Sequence, residues 1–387
     1  MKANVGYSTQ KNSEKSGVET ATLAKRGLTD PKIAFLYSSV LCNQKELLSG
    51  MKSVLGDVPI VGCTSSGMIM VPDGIVTGKD GFSGALLLEG DNLKIGVAGM
   101  PKDGTARKTG RKIAKEAIKN SGCKLRPSYF YMVANPAEEE DYLKGIQDVI
   151  GRVPFFGGSA ADDTVEGKWQ IFCNDQVYND GCAVVFFYTP DLIATEYTGA
   201  YDETKKRGII TKVKDKRTLV EIDNEPALKK YAEWRGMNPD DLMGMNLLSA
   251  TISNPLGVKD PIGHLTVIRH PMVGNNDYSM NIGNDLVVGT CVNMMSATVD
   301  DLIDSTEKAV LKVNSKLGND AAGYLLVHCG GRKLGIDSRI GEVHKKIKEA
   351  AKGKPFITIF TFGEYGYNDH SANTCGGLML SFTGFEE

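Results

Sequence analysis

Residues 153–163 read VPFFGGSAADD, and residues 58–67 read VPIVGCTSSG. Each is an apolar strand running through Val-Pro into a turn of glycine and small polar residues. The match extends well beyond the turn when the two stretches are aligned at an offset of 95. Upstream, Leu47, Leu48, Met51, Val54 and Leu55 parallel Tyr142, Leu143, Ile146, Val149 and Ile150. Both sets follow i, i+1, i+4, i+7, i+8, the buried face of an amphipathic helix. Gly56 and Gly151 stand where a helix would stop. Before each helix lies a strand-like run, KIAFLYSS (32–39) and SYFYMVAN (128–135). After each turn the match resumes at an offset of 100, with DGFSGALLLEGDNLKIGVAG (80–99) against DGCAVVFFYTPDLIATEYTG (180–199). These are two further strands, turning at Gly90–Asp91 and Pro190–Asp191. The repeated unit is β-α-β-β-β, and internal repetition is a stronger signal than any single element.

A looser third copy closes the chain. YLLVH (324–328) is its first strand, and its helix carries Val343, Ile347, Ala350 and Ala351. Pro355 stands four residues past the last helical apolar position, as Pro59 and Pro154 do. PFITIFTFGEYG (355–366) and GGLMLSF (376–382) complete it, with the turn displaced to Gly363. Between the copies, KRGIITKVKDKRTLVEID (206–223) reads as a solvated strand pair with a charged turn at Lys214–Arg217. EPALKKYAEW (225–234) is a helix opened by proline, whose missing N–H costs nothing there. TVDDLIDSTEKAVLKVNSKLG (298–318) is a long amphipathic helix, acidic early and basic late as the helix dipole favours.

The expectation is an α/β to α+β fold in which repeated β-α-β-β-β units form mixed sheets covered by helices, in two domains. The first spans 30–200, with repeats at about 30–100 and 125–200. The second spans 206–385, with the weaker repeat at about 320–384, and residues 1–29 form an N-terminal segment. A length of 387 residues fits two to three domains.

Composition narrows the class. Hydrophobic residues make up 41% and charged residues 24%, ordinary globular values that argue against disorder. A formal net charge of −2 leaves no bulk attraction for nucleic acid or an anionic membrane. MKANVGYSTQKNSEKSG (1–17) has no apolar core of a secretory signal, and no run approaches the ~18 residues of a membrane span. The eight cysteines stand singly, without metal-binding or redox spacing. A cytoplasmic protein with free thiols, no metal and no cofactor is expected. The five histidines, His264, His270, His328, His344 and His370, read as surface or internally satisfied imidazoles.

The turns are the candidate site. They lack the Lys-Ser/Thr ending of a P-loop and the third glycine of a dinucleotide fingerprint. They offer glycine backbone and small hydroxyls, able to cradle an anion or carboxylate, or simply to close a tight β-turn. Cys63 and Cys329 are the two cysteines to weigh as nucleophiles, and a buried structural thiol is the better reading of each. In FTFGEYGYNDHSANTCGG (360–377), Glu364, His370, Asn373 and Thr374 cluster, and with Arg332 they suit recognition of a zwitterion.

VGCTSSGMI (61–69), FFGGSAADD (155–163), EPALKKY (225–231), VHCGGR (327–332) and GEY…H…NT (363–374) occur in an order that resembles a FIST-domain protein, with FIST N and FIST C portions. The resemblance spans about residues 30 to 384. It implies a sensory role in signal transduction, with amino acids or related small carboxylates as ligands and an unidentified signalling protein as partner. The signature positions it implies are Gly62, Cys63, Thr64, Ser65, Ser66, Gly157, Gly158, Ser159, Asp162, Asp163, Arg332, Gly363, Glu364, Asn373 and Thr374. One departure is that HSANT separates His370 from Asn373, residues that the family commonly places together. With no kinase, cyclase or coiled-coil output pattern, the expectation is a stand-alone sensor. The alternatives are a hydrolase or transferase acting through Cys63 or Cys329, and an interaction module without a pocket.

Overall fold

The computed structural model describes residues 1–259, 265–368 and 371–387, so His264 and His370 lie outside the described residues. The first unit contains β1 (Lys2–Ser8), α1 (Ser13–Ala24), β2 (Pro31–Ser38), α2 (Gln44–Leu55), β3 (Ile60–Thr64), the hairpin β4 (Ile69–Val71) and β5 (Gly74–Val76), and β6 (Ser83–Glu89). The second repeats it as β7 (Lys94–Pro101), α3 (Ala106–Ser121), β8 (Tyr129–Ala134), α4 (Glu139–Ile150), β9 (Phe155–Ser159), the hairpin β10 (Ile171–Cys173) and β11 (Gln176–Tyr178), and β12 (Gly181–Tyr188).

The third unit opens with β13 (Ile193–Thr198) and is then interrupted. The insertion holds β14 (Asp202–Lys214), β15 (Thr218–Ile222), β16 (Glu225–Pro226), α5 (Ala227–Arg235), β17 (Leu256–Lys259), β18 (Thr266–Arg269), β19 (Pro271–Gly274), β20 (Met280–Ile282) and β21 (Cys291–Ser296). The unit resumes with α6 (Val299–Lys316), β22 (Ala321–Cys329), α7 (Gly330–Ile336), α8 (Ile340–Ala351) and β23 (Phe356–Thr361). It ends with the hairpin β24 (Glu364–Gly366) and β25 (Thr374–Gly376), followed by β26 (Leu380–Glu386). The helix read at 298–318 is therefore the third unit's first helix. Residues set apart above as an N-terminal segment hold β1 and α1.

Each unit's sheet has the same plan, an edge strand, the last strand, and then two parallel strands: β1-β6-β2-β3, β7-β12-β8-β9 and β13-β26-β22-β23. The hairpins are exchanged cyclically. β10–β11 extends the first sheet beside β3, β24–β25 extends the second beside β9, and β4–β5 extends the third beside β23. The strands read as the ends of the first two copies, β7 and β13, cross to the edges of the following sheets.

Local chemistry supports these elements. Asn12, Asn43 and Thr105 cap α1, α2 and α3 through their side chains, and Thr298 with Asp301 forms a capping box on α6. Gly56 and Gly151 end α2 and α4 at positive φ. The apolar faces of all three sheets meet in one core, to which Phe35, Val61, Tyr131, Phe156, Phe187, Val327 and Ile357 belong. Separate clusters fill the space beneath each helix pair. The insertion folds its strands into a fourth sheet around α5, with its own core of Tyr231, Trp234, Leu219 and Ile282.

Candidate functional site

The exchanged hairpins draw the three turns together. Ser66 N–H donates to Phe360 O at 2.9 Å, Ala161 N–H to Thr64 O at 3.0 Å, and Phe362 N–H to Ser159 O at 3.4 Å. Each turn thus hydrogen-bonds to the strand end of another unit, closing a ring. Ser159 N–H also donates to Gly363 O at 2.8 Å, and Gly67 N–H to the Asp163 carboxylate at 2.7 Å.

A cavity of about 430 Å³ opens between this ring and the insertion. Ser66, Asp163 and Phe362 line it from the turns, Cys329, Gly331 and Lys333 from β22 and α7, Glu139 from α4, and Arg217, His270 and Asn284 from the insertion. Its walls are otherwise largely apolar, with Trp169, Leu248, Met272 and Ile282 among them. A larger groove of about 570 Å³ runs beside β13 near Tyr129 and Lys316, but no turn residue faces it.

Most of the signature side chains are occupied elsewhere. Gly62 and Cys63 are inside β3, where Cys63 joins the central core and burial pushes its thiol far up. Thr64 Oγ1 accepts Gln170 N–H at 2.9 Å, and Ser65 Oγ accepts Phe360 N–H at 2.9 Å. Gly157 and Gly158 belong to β9, and Ser159 Oγ pairs with Tyr365 OH at 2.8 Å. Asp162 is spent on the loop, its carboxylate accepting the backbone N–H groups of Thr164, Val165, Glu166 and Lys168. That loop holds Val165 at φ 60°, a strained value for a β-branched residue at the cavity rim. Asn373 Nδ2 donates to Val153 O at 2.8 Å, and Thr374 Oγ1 to Cys375 O at 3.4 Å, both away from the cavity.

Arg332 is fully buried beside α6, where Nη2 donates to Leu302 O at 2.8 Å and to Ser305 Oγ. Glu364 lies in the same buried cluster. It accepts Met379 N–H at 3.0 Å and Thr361 Oγ1–H at 2.9 Å, and desolvation lifts its carboxyl to about 8. Neither residue lines the cavity. Only Ser66 and Asp163, of the fifteen signature positions, do so.

The next residue along does line the cavity. Lys333 Nζ donates to Ser66 O at 2.8 Å and lies 3.5 Å from Ser66 Oγ. Desolvation lowers its pKa, and Asp163 works the other way. Among the described residues it has no ion-pair partner. Glu139, also on the cavity wall, is raised well above the usual carboxylate range, by burial first and then by Glu140, with Arg217 opposing. His270 is pushed down to about 4 by burial, so its ring is neutral and Nε2–H donates to Leu248 O at 2.9 Å. Cys329 lines the cavity, but burial raises its thiol strongly, and its Sγ accepts Gly331 N–H at 3.3 Å. Sequence reasoning missed Lys333, Glu139 and Asn284. The one available signal was Lys333 directly following Arg332 in CGGRK.

This architecture is that of a repeated α/β protein with a cavity where its units meet an inserted sheet. The FIST N domain model matches residues 32–225 and the FIST C domain model residues 227–367. The chain belongs to the FIST family, whose domains are sensory domains of signal-transduction proteins. No curated protein matches it. Among solved structures, it is similar to cyanuric acid hydrolase from A. caulinodans, at 10% identity and a TM-score of 0.39, covering 100% of this chain and 99% of that one. It is also similar to phosphoribosylformylglycinamidine synthase II from Thermotoga maritima, at 10% identity and a TM-score of 0.21, covering 99% of this chain and 71% of that one. Likenesses this distant bear on neither fold nor chemistry.

Proposed function

We propose that this protein is a cytoplasmic sensor whose cavity binds small carboxylates, amino acids among them, and reports occupancy to a signalling partner. The observation that carries this reading is Lys333, a half-buried ammonium facing an apolar-walled cavity, which among the described residues forms no ion pair and feels only the longer-range attraction of Asp163. A ligand carboxylate beside Nζ takes the place of that missing partner in a partly desolvated setting, where a charge-assisted hydrogen bond is strongest. The ring of turns holds Ser66 and Asp163 in position around it. Contacts from both the repeated units and the insertion give occupancy a route to the surface, because a ligand bridging them favours one relative arrangement. Among the described residues, no helix is long and apolar enough to cross a membrane.

The hydrolase or transferase reading needs a thiolate at Cys63 or Cys329, and burial disfavours that charge at both. The test is a thermal shift with 3-phenylpropanoate, an anion with an apolar tail. At 100-fold over its dissociation constant it should stabilise the protein by about 2.7 kcal/mol. Lys333→Met should weaken binding at least tenfold. No shift at any concentration, or equal binding by the variant, would sink the reading.

A further inference from the structure

Elsewhere on the wall of the cavity that Lys333 lines, two buried oxygens have no hydrogen-bond donor. Glu139 is 2% exposed and Asn284 is 1% exposed, and both line the cavity. Among the described residues, Glu139 Oε2 and Asn284 Oδ1 are without a hydrogen-bond partner. The orientation of the Asn284 amide is settled by its other end. Nδ2 donates to Glu139 Oε1 and to Glu140 Oε1, at 3.2 Å each, and reversing the amide would set its oxygen against two carboxyl groups. Oδ1 is therefore the acceptor left over.

The nearest cation fills the gap only in part. Arg217 Nη2 forms an ion pair with Glu139 Oε2 at 3.3 Å, outside good hydrogen-bond geometry. Its guanidinium donates instead to Glu140, to Asp285 Oδ1 at 3.1 Å and to Gly283 O at 2.7 Å. One guanidinium thus stands among three acidic side chains, Glu139, Glu140 and Asp285. Lys144 and Lys216 reach only the outer oxygen of Asp285, at 3.5 and 3.8 Å. Leaving a buried acceptor unmade costs about 1–3 kcal/mol, so two on one wall mark a place where a donor-rich group belongs.

We infer that Glu139 and Asn284 form a second subsite, which takes the protonated amine of a ligand whose acidic group lies at Lys333. The inference rests on the carboxylate reading above and deepens it, since the cavity then discriminates amines from their deaminated analogues. An ammonium supplies three N–H donors on a compact charge, enough for both orphaned oxygens. It also evens the local surplus of acid.

A linked proton follows. The groups facing Glu139 are Glu140 on its own helix, Arg217, Asn284 and Asp285 from the insertion, Tyr365 from β24 and Cys375 from β25. Burial, and then Glu140, raise the Glu139 carboxyl well above the usual carboxylate range in the empty cavity. Accepting an ammonium favours the ionised form, so binding releases a proton.

The experiment is isothermal titration of the full chain with L-phenylalanine, 3-phenylpropanoate and 2-phenylethylamine at pH 7, in two buffers of different ionisation enthalpy. The expected result is L-phenylalanine binding at least tenfold more tightly than 3-phenylpropanoate, with a net proton released only for the two amines. Glu139→Gln should abolish both the preference and the proton release. Equal affinity for L-phenylalanine and 3-phenylpropanoate in the wild-type protein would overturn the amine subsite and leave the carboxylate reading standing. Binding of 2-phenylethylamine alone would overturn the carboxylate reading while keeping the subsite. No binding by any of the three would end both.

Discussion

On α7 consecutive side chains leave the axis about 100° apart, so neighbours in sequence face different surroundings. Arg332 turns toward α6 and is fully buried, while Lys333 turns toward Ser66 and the cavity. The two cations should therefore separate cleanly in experiment. Arg332→Met strips the donors from Leu302 O and Ser305 Oγ and takes a positive charge from the neighbourhood of Glu364. We expect a loss of about 3 kcal/mol in urea unfolding, the scale for breaking a buried charged cluster. Binding of 3-phenylpropanoate should stay within twofold. Lys333→Met should show the reverse, little change in stability and a large loss of binding.

Individual elements are held together by glycines at close approaches. Gly157 in β9 sits at φ 139°, and a Cβ there would stand 1.9 Å from Met132 O on the parallel strand β8. Gly62 is its counterpart in β3, where the same atom would meet Leu36 O at 1.7 Å. Gly157→Ala combines backbone strain with overpacking, so denaturant titration should report a cost on the order of 3 kcal/mol. The helix pairs use the same device. A Cβ on Gly50 of α2 would lie 2.0 Å from Glu14 O of α1, and one on Gly145 of α4 would lie 2.1 Å from Arg107 O of α3. Gly145→Ala has no strained φ to add, yet must push two helices apart. It should cost about 1–3 kcal/mol by the same measurement.

At the scale of the whole molecule, each sheet is complete only when another unit lends its hairpin, which ties the three units into one interior. Their shared interior also buries groups that titrate in opposite senses. Glu364 and Glu139 are raised in the folded state, which therefore holds their protons over a range where the unfolded chain does not. Their stabilisation is complete below about pH 4.5 and is lost as pH rises toward about 8. His270 and His328 are lowered to about 4 and about 3, in each case chiefly by burial. Their stabilisation is complete above about pH 6.5 and is lost on acidification toward those values. The two effects oppose each other between about pH 4.5 and 6.5, leaving a plateau. From these groups we expect urea midpoints to be highest on that plateau and to fall between pH 6.5 and 8, at no more than about 1.4 kcal/mol per pH unit for each carboxyl. Glu364→Gln should flatten that alkaline arm, and an unchanged slope would place the titration elsewhere.

The amino-acid sequence by itself determined the repeated unit, its helices and strands, and the three glycine-bearing turns. All of these follow from hydrophobic period, proline and glycine within some 60 neighbouring residues. Which side chains face the cavity was decided only by the tertiary structure. The orientations of Arg332 and Lys333 depend on what packs against α7, and nothing local distinguishes one cation from the other. Glu139 lies in the run EEE (138–140), which reads as a solvated helix start. It is buried because Asn284, 145 residues later, closes over it from the insertion. The exchange of hairpins between units was equally hidden, since a hairpin pairs with any exposed strand edge of suitable register. That exchange is what brings VGCTSSG, FGGSAADD and TFGEYG to one place.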